Sequence, residues 1–223
     1  MRCALCRRPA VVAPLVLALA ACATVVLAPE VAWAASEDGA PIEAAPAERR
    51  SGFTLGLSSG LALASASGYP NDVAKIGLPE FEADTGLGVS NGGALWLGGS
   101  LTDWLTLALG VQGGGFKGNG LEASGGTVHV RIEAFPLFYR GGPWRDLGLS
   151  FTAGTGGLGV DRGGESVAEG EGTSAVGAGL FFEPWRLWRF STGPDVSYTH
   201  QFSRSVSAHL LVVGWRVAFY GGP

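Results

Sequence analysis

The chain has 223 residues, of which 47% are hydrophobic, only 15% are charged and 37 are glycine. A soluble domain usually carries about a quarter charged residues, so this composition does not serve an extensive water-facing surface. A formal net charge of −4 argues against nucleic acid as a partner.

At the start of the chain, Arg2, Arg7 and Arg8 precede an uncharged run from Pro9 to Pro29, and Ala32-Trp33-Ala34 follows with small residues at the positions a signal peptidase reads. Residues 1–34 are therefore expected to be an export signal cut before Ala35. A run of about 20 residues also suits a retained membrane anchor, but Pro14 and the Ala-x-Ala site favour removal. A second processing route is open, because Leu19-Ala20-Ala21-Cys22 has the form of a lipobox that would make Cys22 a lipidated first residue. Cys3, Cys6 and Cys22 all precede Ala35. Cleavage there leaves no disulfide, thiolate metal site or cysteine nucleophile. It also removes three arginines and Glu30 from the 15 basic and 19 acidic groups, leaving 12 and 18 and a net charge of −6.

Residues 35–50, ASEDGAPIEAAPAERR, have no periodicity and read as a flexible leader. From Ser51 the pattern turns to period two. Phe53, Leu55, Leu57, Leu61 and Leu63 alternate with Thr54, Gly56, Ser58, Ala62 and Ala64; Leu105, Leu107, Leu109 and Val111 repeat the theme. The same alternation carries Val128, Val130 and Ile132, then Leu147, Leu149 and Phe151, and finally Leu211, Val213, Trp215, Val217 and Phe219. It predicts about eight strands, near 52–65, 93–101, 104–115, 126–139, 146–159, 174–183, 188–200 and 206–220. Short connections at 102–103, 140–145 and 183–188 alternate with longer, glycine-rich, acidic ones at 67–91, 113–125 and 161–173. Residues 51–223 are thus expected to be all-β, antiparallel and up-and-down. Pro136 and Pro194 fall inside proposed strands, where bulges or earlier strand ends are expected.

The character of the two faces identifies the solvent. A sheet with one face in water carries Lys, Glu and Arg on it, whereas here one face is leucine-rich and the other is Gly, Ala, Ser and Thr; Lys75 and Lys117 are the sole lysines. Lipid against the large face and a narrow lumen against the small one suits the pattern, which is that of a transmembrane barrel. The rare charges keep to the small face: Arg131, Glu133, Arg189, Asp195 and Arg216. On the lipid face an Arg costs about 2–4 kcal/mol at the bilayer midplane. With Glu183 these residues are expected to pair across the lumen as a structural plug rather than an ion path. Trp104, Tyr139, Trp144, Trp185 and Trp188 flank the short connections and are expected to form an interfacial girdle on the periplasmic side.

On this pattern, from about Gly52 to Tyr220, the chain resembles the small outer-membrane β-barrels of the OmpA and OmpX kind. In the last strand Gly214, Val217 and Phe219 match the Gly-x-x-apolar-x-apolar spacing that the barrel assembly machinery reads in such proteins, with Val212 in place of the usual polar residue. The resemblance implies an eight-stranded barrel in the outer membrane of a Gram-negative-type bacterium. Its expected contacts are membrane lipid and lipopolysaccharide, the assembly machinery during insertion, and an extracellular partner at the loops; a monomer is expected.

Chemistry is sparse. Some small barrels act on lipid A with a His, a Ser and an acid, but the offset of three between His200 and Ser203 puts them on opposite strand faces, so no catalytic residue is assigned. His129 and His209 lack a second ligand at metal spacing. The Gly-Gly-Gly at 113–115 and GEGT at 170–173 lack the context of a phosphate loop and read as loop tips. No cofactor is expected. Asp72, Glu80, Glu82 and Asp84 in one loop and Asp161, Glu165, Glu169 and Glu171 in another are expected to be a solvated acidic surface. The role expected is structural or surface-interacting. A gated channel, a lipid A-modifying barrel and a periplasmic lipoprotein with a lipocalin-like barrel are the alternatives.

Overall fold

A computed structural model describes residues 50–140 and 142–222; the export signal at 1–34, the lipidation at Cys22 and the leader up to residue 49 fall outside them. Alternation along the chain builds eight long strands: β1 (Gly52–Gly68), β2 (Ala83–Thr102), β3 (Leu105–Gly118), β4 (Leu121–Ala134), β5 (Leu147–Arg162), β6 (Glu165–Phe182), β8 (Phe190–Phe202) and β9 (Val206–Tyr220). A three-residue strand, β7 (Trp185–Leu187), forms a small hairpin with the start of β8. Consecutive strands from β1 to β6 pair antiparallel, as do β7 with β8 and β8 with β9; β6 pairs with β8, and β1 closes on β9 from Thr54↔Tyr220 to Gly68↔Val206. The result is a closed, up-and-down, eight-stranded barrel, and closure removes the free edges an open sheet would leave along those pairs.

The pleat decides what each residue faces. In β4, Leu121, Ala123, Thr127, His129, Arg131 and Glu133 are buried, while Val128, Val130 and Ile132 between them are exposed. The outer face of the barrel is therefore apolar, with Leu61 68% and Leu109 64% exposed.

Two of the three connections expected to be long are tight turns. Residues 113–125 and 161–173 are mostly strand, and the chain reverses at Asn119-Gly120 (φ 48° and 73°) and Gly163-Gly164 (φ 61° and 91°). A two-residue hairpin turn of this kind needs positive φ at both central positions, which Asn-Gly and Gly-Gly supply. Thus Gly113–Gly115 and the 170–173 segment are strand residues, not loop tips. β2 also begins ten residues earlier than the alternation indicated, at Ala83, which shortens its connection to residues 69–82.

The prolines sit where a missing N–H is tolerated. Pro136 lies past the end of β4, in a connection holding the short 3-10 turns Phe138–Arg140 and Pro143–Asp146. Pro194 stays inside β8, paired with Trp215 of β9 without the expected bulge or strand end, and lies one residue beyond the last β6–β8 pair, Phe181↔Asp195. One end of the barrel, the turn end, carries the connections at 103–104, 135–146 and 183–189 together with both barrel termini. The opposite loop end carries 69–82, 119–120, 163–164 and 203–205.

The eight long strands are 13 to 20 residues long, more than the roughly 9–11 that cross a bilayer. The excess lies at the loop end, where outward positions change from leucine and valine to Lys117, Glu122 and Ser124. Lys117 and Glu122 form a cross-strand ion pair there.

Candidate functional site

The lumen is filled in three layers. At the turn end the alternation of β4 and β9 points Arg131, Glu133 and Arg216 inward. Arg216 donates from Nη1 and Nη2 to Glu133 Oε1 and Oε2, both at 3.0 Å, and Arg131 Nε donates to Glu133 Oε1 at 2.6 Å. Arg216 Nε lies 2.9 Å from Glu183 Oε1, an ion pair not aligned as a hydrogen bond. Arg216, Glu133 and Glu183 are wholly buried, so each charge depends on its partners: breaking a buried pair from one side costs about 3–5 kcal/mol.

Aromatic rings complete this layer. The Arg131 and Arg216 guanidinium carbons lie 4.3 and 4.8 Å from the Trp96 ring, and Arg216 lies 3.6 Å over Phe181. Phe135 meets Phe181 edge-on at 5.3 Å. Trp96 fits because Gly56 stands opposite it: a Cβ there would fall 2.1 Å from the indole. The cluster continues to the mouth. Tyr220 donates to Glu183 at 3.0 Å. Arg50 donates to Asp146 at 2.7 Å, lies 3.7 Å from Glu183 and stacks 3.7 Å over Phe135. Arg186 also donates to Asp146, at 2.7 Å. Acid and base alternate from mid-lumen to the surface.

The middle layer is neutral and polar. Gln112 Nε2 donates to Thr199 Oγ1 at 3.0 Å, and Gln201 donates to Thr173. A cavity of about 50 Å³ lies among Gln112, Thr127, Leu158, Thr199 and Gln201, room for a water or two. Among the described residues, neither ring nitrogen of buried His129 nor the Oδ1 of buried Asp195 has a hydrogen-bond partner.

The third layer, at the loop end, is apolar: Ala66, Leu121, Leu158, Val160, Val206 and their neighbours pack into one cluster. Charges therefore fill only the turnward part of the bore. Leu121 and Ala123 fall in the glycine-rich stretch 113–125 that reads as a loop, which hides the inward switch from charged to apolar along β4.

Of the six charges placed in the lumen from the sequence, Arg131, Glu133, Glu183 and Arg216 come together. Asp195 is buried on β8, and its Oδ1 has no hydrogen-bond partner among the described residues. Arg189 is corrected: it is exposed on the turn between β7 and β8, donates to Gly221 O at 3.3 Å and approaches the Trp188 ring. β8 begins at Phe190 rather than 188, so Arg189 precedes the pleat that was to aim it inward. Arg50, Trp96, Asp146 and Tyr220 were missed. Trp96 had a signal, being a single large residue among the small inward positions Ala94 and Gly98; Arg50 had none beyond its nearness to the first strand.

Trp104, Tyr139, Trp144, Trp185 and Trp188 all stand at the turn end. Trp185 stacks on Trp215 at 5.2 Å, and Trp188 lies near Phe190 and Phe219 at 6.3 and 6.2 Å. Trp215 Nε1 donates to Thr192 at 2.6 Å, so its polar edge is satisfied while the ring faces outward.

His200 does not meet Ser203, whose hydroxyl lies 3.3 Å from that of Ser205. Its Nε2 is 3.1 Å from Ser207 Oγ, and its ring stacks at 4.5 Å on His209, whose Nδ1 bonds Tyr198. These side chains lie on outward positions of β8 and β9.

No family model matches the sequence and no curated protein matches it. The fold is that of the small eight-stranded outer-membrane β-barrels. The chain is similar to the crystal structure of Neisserial surface protein A, with a TM-score of 0.53 and 13% identity over 75% of this chain and 96% of that one. It is also similar to Ail, the attachment invasion locus protein of Yersinia pestis, at a TM-score of 0.46 and 16% identity over 75% of this chain and 99% of the other. A third similarity is to the outer membrane protein OprG from Pseudomonas aeruginosa, at 0.42 and 11% over 77% and 98%.

Proposed function

We propose that the chain is an integral outer-membrane β-barrel with a structural or surface-interaction role and a closed lumen. One observation carries the reading: the barrel is inside out. Leucines cover its outer face while Arg216, Glu133 and Glu183 are sealed in its interior. Such an exterior is favourable among acyl chains and would aggregate in water. Membrane lipid surrounds the apolar band, the aromatic residues at the turn end lie at the periplasmic headgroups, and the loop end projects outward beside lipopolysaccharide. The final strand is the segment the barrel assembly machinery engages. The layered filling supports a scaffold over a channel.

Gel mobility of the membrane fraction tests this reading. An unboiled sample should migrate differently from a boiled one, because a closed barrel resists detergent unfolding. A product recovered as soluble periplasmic protein would overturn it in favour of a lipocalin-like barrel.

A further inference from the structure

Parity places His200 of β8 and His209 of β9 on the outer wall, alternating with buried Thr199, Gln201 and Ala208. The ladder sets them directly opposite each other, His200↔His209, and residues so paired hold their Cβ atoms about 4.5–5.5 Å apart. The two rings stack with centroids 4.5 Å apart and planes 8° from parallel. The second imidazole that spacing along the sequence does not offer His209 thus arrives across the register. On the turnward side of the pair the outward residues are apolar, Leu63 and Leu211, whereas Ser65 stands beside His209 and Ser67 beside Ser207. The pair therefore lies at the loop-end limit of the apolar band, close to where β8 ends at Phe202 and β9 begins at Val206.

Each ring has one nitrogen held by a hydroxyl. Ser207 Oγ lies 3.1 Å from His200 Nε2, and Tyr198 OH lies 2.7 Å from His209 Nδ1. The opposite nitrogens, His200 Nδ1 and His209 Nε2, remain as donors to a ligand. A histidine that binds a metal gives its other ring N–H to a partner of this kind, which fixes the tautomer and the ring's orientation. Two nitrogens on one ion, each at about 2.0–2.1 Å, stand roughly 3–4 Å apart. The stacked pair is near that separation and converges by turning about the Cβ–Cγ bonds. Among the described residues no group of three His, Cys, Asp or Glu is placed to hold a metal, so the protein supplies two imidazoles and water fills the other positions. Imidazole without carboxylate favours the borderline ions Cu²⁺, Ni²⁺ and Zn²⁺ over the oxygen-seeking Mg²⁺ and Ca²⁺.

We propose that His200 Nδ1 and His209 Nε2 chelate one divalent transition-metal ion, copper most tightly, on the outer wall near the loop end. With the ion bound, His200 Nε2–H donates to Ser207 Oγ and His209 Nδ1–H donates to the Tyr198 oxygen. The ion then links β8 to β9 through side chains as well as backbone. The site depends on strand register and these four side chains, and it stands whether lipid or water surrounds the barrel.

The test uses the untagged full chain folded in detergent micelles, with its cysteines alkylated so that thiols do not compete for the ion. With one equivalent of Cu²⁺, pulsed EPR should show coupling to two imidazole rings. Titration should rank Cu²⁺ above Ni²⁺ and Zn²⁺, and about a hundredfold excess of Mg²⁺ or Ca²⁺ should displace none of them. His200→Asn and His209→Asn should each weaken copper binding about tenfold or more and leave coupling to a single ring at most. Tyr198→Phe should weaken it about tenfold while both couplings persist, as a partner behind the ligand does. Gel mobility should stay that of a folded barrel in all three variants, since these side chains point outward. Coupling to one ring or none in the parent, or copper binding unchanged by either histidine substitution, would overturn the chelate.

Discussion

Arg216 on β9 and Glu133 on β4 face each other across the lumen, joined by two parallel hydrogen bonds of 3.0 Å. β4 and β9 share no ladder, so this contact ties walls that backbone pairing leaves independent. Glu133→Gln strands Arg216 and Arg131 without their shared carboxylate and should destabilise the barrel by about 3–5 kcal/mol. Adding Arg216→Met should restore much of that loss. Urea unfolding in micelles, followed by tryptophan fluorescence, reads both; strictly additive losses would contradict the pairing.

Gly56 makes the space that Trp96 fills. Gly56→Val forces the indole aside and should cost about 1–3 kcal/mol as overpacking. Trp96→Ala in the same chain should relieve the clash, so the double variant is more stable than the sum of the singles. The same unfolding assay decides it.

Layered filling makes a prediction about conductance. The parent barrel should be silent in planar bilayers. Removing turnward bulk with Trp96→Ala and Phe181→Ala should leave it silent, because the apolar cluster around Leu121 and Val160 still closes the loop end. Current steps should appear only when Leu121→Ala and Val160→Ala are added. Steps in the first variant would show that the loop-end cluster does not seal.

Lipid exposure should make the outer face intolerant of charge by height. Leu109→Arg, on the apolar band, should cost about 2–4 kcal/mol, whereas Ser124→Arg near the rim should cost no more than about 1 kcal/mol. Equal costs would contradict the proposed band. The comparison is made by reversible unfolding in lipid vesicles.

Much of the fold was legible because a pleated strand between two solvents writes itself as strict alternation. Phe53 to Ala64 and Val128 to Glu133 needed nothing else. Rim height was less legible: glycine and acidic residues mark loops in most chains, yet here Gly113–Gly115 and Glu165–Gly170 are strand, and the two-residue signals at Asn119-Gly120 and Gly163-Gly164 were the better guides. The lumen charges on strand interiors were placed by parity alone. Arg189 escaped because parity means nothing at a turn, and the contact of Arg50 with Asp146 and Glu183 escaped because register and connection shape, not spacing, bring those groups together.

The polarity of the outer wall is tested most directly by nitroxide labels in liposomes. Labels at Leu109 and Val130 should collide with dissolved oxygen and little with a water-soluble nickel relaxant, and labels at Lys117 and Ser124 should show the reverse. Strong nickel collision at Leu109 and Val130 would mean that the leucine face meets water, and the membrane account would be wrong.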